Sequence, residues 1–160
     1  MARSPTYVDI GYASAQEFWD EIVLASASRF KTDPTRAHAM ACAIYVAHFL
    51  DWVFHEKHPR EDTLGNPVYV AFKQHHHRAC PELMWLADLS DVAKHRGIGR
   101  AVTLKKLEGG GAAGEGAEAD LLWEKPQAAD GPLFLELGSG ARHRFDKVVA
   151  KAVAYWRTNR

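Results

Sequence analysis

Two hydrophobic periods divide the chain. From Ser14 to Arg96 apolar positions recur at three- and four-residue spacing, the period of amphipathic helices. After Gly99 they alternate in short runs, the period of strands. Residues 1–13 carry neither pattern and read as an irregular arm. Ser14-x-x-Glu17 is a capping box, and Phe18, Ile22 and Ala25 continue a helix that should end near Phe30. Thr32 or Asp33 then caps a second helix, with Pro34 in its first turn, where a missing N–H is harmless. That helix can run over 34–58, and Pro59 ends it. It is apolar nearly all round, through Met40, Ala41, Ile44, Val46, Phe49, Leu50, Trp52 and Val53. A helix of that kind belongs at the buried centre of a bundle.

A polar loop, "HPREDTLGNP", follows. "VYVAFKQHHHRA" suits a short amphipathic helix as well as a strand, and we read a helix over 68–78. Pro81 opens the next helix, "PELMWLADLSDVAKHR", closed by Gly97. "RAVTLKKL", "DLLWEK" and "PLFLELGSGARH" read as strands, the last with Gly138-Ser139-Gly140 as a bulge or turn. Alternation gives them an apolar face of Val102, Leu104, Leu122, Phe134 and one or both of Leu133 and Leu135. "RFDKVVAKAVAYWR" is a closing amphipathic helix. The predicted fold is α+β and mainly α, in a single domain. A bundle of three to four helices spans 14–98, and a three-stranded antiparallel β-meander with a flexible 109–116 loop spans 99–143. The closing helix covers 144–160.

Composition narrows the function. The 160 residues are 47% apolar and carry a formal net charge of zero, so no overall basic field attracts nucleic acid, although a local patch stays open. Two cysteines, Cys42 and Cys80, are too few for a disulfide framework or a cysteine zinc site and read as reduced thiols. The N-terminus has no signal pattern and there is no run of eighteen apolar residues, so the expectation is a cytoplasmic protein without a membrane partner. The glycine loop joins two predicted strands and lacks the Lys-Ser/Thr of a phosphate-binding loop.

The candidate chemistry lies in two polar stripes. His48, Asp51 and His55 share one spacing, and Asp88, Asp91 and His95 repeat it. On a helix, positions i, i+3 and i+7 lie within roughly 60° of one another. A carboxylate inside a central helix is costly unless paired, so Asp51 needs a cation, a donor cluster or a metal. Its removal should cost about 2–4 kcal/mol if its partner is left buried. The ordinary outcome is a hydrogen bond from a His or Trp N–H that fixes helix packing. The metal alternative gathers both stripes, His48, Asp51, His55, Asp88, Asp91 and His95, around zinc, iron or manganese, as in bundle-core sites. Without it no cofactor is expected. Consecutive helical residues diverge, so His75, His76 and His77 should form a solvated or loop-exposed cluster rather than one chelate. Ser90 beside Asp91, and Cys42, lack the strained turn of an activated nucleophile.

The segment "LSDVAKH" resembles the end of the signature helix of HEPN-domain proteins, helical bundles of bacterial toxin, phage-defence and nucleotide-transfer-associated systems. Asp91 falls at the motif's polar position and His95 at its terminal histidine, while Ser90 stands where the family carries arginine. In active members the arginine and histidine serve metal-independent RNA cleavage across a dimer. The resemblance therefore implies a non-catalytic or altered protein that binds a nucleotide or RNA in a defence or toxin–antitoxin setting, as a homodimer. His95 and Asp91 are the candidate acid–base pair, and Lys94, Arg96 and Arg100 the candidate phosphate contacts. Two other readings stay open: a metal-binding bundle, a hydrolase among them, and a dimeric interaction module without chemistry.

Overall fold

Ser14 starts the first helical rod by accepting a hydrogen bond from the Glu17 N–H at 3.1 Å, and Glu17 reaches back to the Ala13 N–H at 2.7 Å. In this computed structural model, which describes residues 11–94, 102–106 and 132–160, the rod consists of α1 (Ala15–Phe18), a π-helical turn (Trp19–Val23) and α2 (Leu24–Thr32). Helix α3 (Arg36–Lys57) follows. Its cap is Thr35, whose hydroxyl accepts from the His38 N–H at 3.2 Å. Neither Thr32 nor Asp33 caps it, and Pro34 precedes the cap instead of opening the helix. Asp33 is engaged otherwise: its carbonyl and carboxylate both meet His38 Nδ1, at 2.8 and 3.2 Å.

The ambiguous segment is helical. Asn66 caps α4 (Pro67–Ala79) by accepting from the Val68 N–H at 2.8 Å, and Pro67 takes the first position. Cys80 alone separates it from α5 (Pro81–Lys94). The chain closes with α6 (Phe145–Asn159), whose buried positions Phe145, Val148, Val149, Ala152, Val153 and Trp156 form one stripe.

Around α3 pack α5, α2, the rod's π-turn and α1, α6 and α4. Ala39, Cys42, Ala43, Val46, Phe49, Leu50, Val53 and Phe54 are its buried side chains. Phe49 sits between Trp19 and Trp156, with ring centroids 4.9 and 5.3 Å away. By length and composition alone α3 is long and apolar enough to cross a membrane, and here it is the helix its neighbours surround.

The fold is thus mainly helical with a small antiparallel sheet, the coarse architecture that the two periods predict. The strands fall differently. β1 (Val102–Lys106) pairs with β2 (Leu133–Leu137), which pairs with β3 (Arg142–Arg144). The predicted strand over 132–143 is therefore two, folded at Gly138-Ser139-Gly140, where Gly140 takes φ +82°. The predicted strand at 120–125, the 109–116 loop and most of the N-terminal arm lie outside the described residues. On β2 the inward residues are Leu133 and Leu135, while Phe134 is half-buried on the other face. The sheet rests on α5 and α6, where Trp85 stacks on His143 at 4.4 Å. Lys151 of α6 pairs with Glu82 of α5 at 2.9 Å.

The histidine run separates by direction. His75 is exposed, His77 is half-buried, and His76 is core, 5% exposed, with Nδ1 2.7 Å from the Tyr155 hydroxyl and its ring 4.9 Å from Trp156. The expected solvated cluster is therefore wrong for His76. Burial, then the charges of His75, Lys57 and His77, push His76 down to about 4. An unfolded histidine titrates near 6.5. Stability present above that pH should therefore fall as pH drops towards 4, because the unfolded chain takes a proton that folded His76 refuses. Urea denaturation at pH 7 and 4.5 should show a loss of up to about 3 kcal/mol, part of it shared with His77, which burial shifts the same way. His76→Gln, which still offers Tyr155 a partner, should reduce the loss. An unchanged pH dependence in the variant would assign the effect elsewhere.

Candidate functional site

Three helices bring polar side chains to one small cleft. From α3 come His48 and Asp51, one turn apart, with His48 Nδ1 3.0 Å from Asp51 Oδ2. From α4 come Tyr69, Lys73 and His77, spaced by four so that they share a face. From α5 come Ser90 and Asp91. The cavity between them is about 80 Å³, room for a phosphate-sized group or a few waters and not for a nucleobase.

Asp51 is the hub. It accepts from His48 Nδ1 and from the Tyr69 hydroxyl. Burial raises its carboxyl, but those two hydrogen bonds and the charges of His48 and Lys73 outweigh burial and hold it below the usual carboxylate range. Asp51 is therefore an anion at neutral pH. Tyr69 pays the reverse: burial first, then the hydrogen bond and charge of Asp51, push its phenol well up, so it remains a donor. His48 meets Asp51 through Nδ1, which fixes the orientation of its ring across the cleft. On the far side of the cleft burial, then Lys73, lower His77, while Asp88 pulls it the other way.

Ser90 is 2% exposed, and its hydroxyl has no hydrogen-bond partner among the described residues. A buried hydroxyl left without a partner is uncommon and marks either a bound molecule or an ordered water.

The two predicted stripes meet only in part. His48, Asp51 and Asp91 line the cleft, and Asp88 acts on it through His77. His55 is exposed near the end of α3 with its ring against Phe54. His95, Arg96 and Arg100 lie outside the described residues, and Lys94 is placed only as the last residue of α5. Among the described residues no three His, Cys, Asp or Glu side chains gather at metal-binding distance. Sequence reasoning missed Tyr69, Lys73 and His77, although their i, i+4, i+8 spacing was present in "VYVAFKQHHH".

Asp51 is half-buried, its side chain 35% exposed, so the full penalty of a buried unpaired partner does not apply. Asp51→Ala should cost about 1–2 kcal/mol, chiefly through the stranded Tyr69 hydroxyl. Adding Tyr69→Phe should recover part of that loss, since both partners of the bond are then gone. Strict additivity in chemical denaturation would mean the two side chains are not coupled.

In comparisons with known proteins, no family model, curated protein or solved structure matches the chain, so its functional reading rests on the chemistry of this cleft.

Proposed function

We propose that the chain is a HEPN-like protein that binds a nucleotide or RNA without turning it over, in a defence or toxin–antitoxin setting. One observation carries the reading. Ser90 and Asp91, from the α5 stretch that resembles the family's signature helix, open onto the same cleft as Lys73, His77 and the His48–Asp51 pair. The cleft is large enough for a phosphate or a ribose edge. Lys73 supplies the positive charge, Ser90 an unused hydroxyl, and the carboxylates accept from ribose hydroxyls. The rest of the ligand lies outside, towards the end of α5, where the sequence continues Lys94-His95-Arg96 and reaches Arg100.

The binding has no turnover because Ser90 cannot supply the cation that stabilises charge on a phosphate in the transition state. The described cleft contains one full-time cation, Lys73, against two carboxylates, Asp51 and Asp91.

Purified protein should bind short RNA or adenosine nucleotides at low salt, with affinity falling as salt rises. Lys73→Ala should weaken binding about tenfold, the equivalent of roughly 1.4 kcal/mol for one charge-assisted contact. Light scattering should return the mass of a dimer. Absence of binding to any nucleotide or RNA at low salt overturns the reading. Chelator-resistant RNA cleavage that disappears in His95→Ala replaces it with an active nuclease.

A further inference from the structure

A second concavity is built from other elements. It lies between α2, α6 and the start of β2 and encloses about 750 Å³, within the range of small-molecule sites. Its floor is aliphatic: Leu24 and Ala27 from α2, Leu133 from β2, and Val149 and Val153 from α6. Phe30 also lines the groove, with its ring edge to face on Phe145 at 5.0 Å.

The rim is cationic. Lys31, Arg144, Lys147 and Arg157 border the groove against a single carboxylate, Asp146. Arg144 is already committed to that carboxylate, with its Nε and a terminal nitrogen 3.1 and 2.9 Å from the two oxygens. Lys31 and Arg157 are exposed and have no acidic partner among the described residues. The whole chain has a net charge of zero, yet this rim carries a formal excess of three positive charges.

We infer that the groove is a binding site for an aliphatic carboxylate of fatty-acid type, its chain on the Leu24–Leu133–Val149–Val153 floor and its head group between Lys31 and Arg157. The floor favours an alkyl chain because aliphatic side chains make up most of its apolar lining. The rim selects an anion because its unpaired groups are all cations. This site shares no residue with the cleft between α3, α4 and α5 and stands or falls separately from it.

Calorimetry with dodecanoate, kept below its micellar concentration, tests the inference on the full chain. Saturable binding of one dodecanoate per chain is expected, with no comparable binding of dodecyltrimethylammonium. Lys31→Glu combined with Arg157→Glu should weaken binding at least about tenfold, the loss expected for one charge-assisted contact. Both residues are exposed, so circular dichroism should show an unchanged fold. Ala150→Trp, from the exposed edge of α6 into the groove, should block binding, and Lys73→Ala should leave it intact. Equal binding of the cationic amphiphile, or indifference to the double charge reversal, overturns the proposal. So does failure of the full chain to bind dodecanoate, which would leave the groove to another part of the chain or to a protein partner.

Discussion

Helix α3 is apolar over most of its surface, and that constraint organises the molecule. Twenty-two residues long, it buries side chains from Ala39 to Phe54. A helix apolar all round is stable only when other elements enclose it. The α1–α2 rod, α4, α5 and α6 each cover one sector, and aromatic rings fill the space where the rod and α6 meet it. His48 and Asp51 are the interruption, lying where α4 and α5 approach α3 together. At the polar cleft the central helix is met by a hydrogen-bonded cluster as well as by packing.

Much of this was legible in the chain because it is local. The Ser14 capping box, the all-apolar second helix, the proline that opens α5 and the stripe of α6 each announce themselves within a few residues. Thr35 was missed as a cap because Asp33 and Pro34 offer an equally good local signal, and only the His38 contacts to Asp33 decide between them. Gly138–Gly140 was read as a bulge or turn within one strand, and periodicity alone did not choose the turn because it does not register a reversal of direction. The site was half legible. Spacing showed that His48 and Asp51 share a face, but which residues of another helix arrive opposite them depends on crossing geometry. Tyr69 and Lys73 were therefore silent, and His77 stood only as a member of the histidine run, because nothing local places α4 beside α3. The same geometry left His55 out, since a cleft one turn long cannot include a side chain at the helix end.

Electrostatics separates the two concavities more sharply than shape does. In the cleft, Asp51 is hydrogen-bonded to His48 and Tyr69 beside Lys73, so positive and negative groups lie close together and the field is short-ranged. At the α2–α6 groove the charges share a sign, and their field extends outward until salt screens it over about 8–10 Å. With a neutral chain, an excess of three positive charges there leaves an equal negative excess over the remaining residues.

The two cysteines give the enclosure of α3 a chemical readout. Cys42 is fully buried on the central helix, and burial, partly offset by a hydrogen bond with Ser26, pushes its thiol up to about 11. It is neither ionised nor reachable by solvent until the elements around α3 separate. Cys80 sits at the single-residue joint between α4 and α5, 5% exposed, with Sγ 3.6 Å from Glu82. A small parting of those two helices is enough to uncover it. The chain therefore carries two thiol clocks of different depth, one set by the opening of a joint and the other by the dissolution of the whole core.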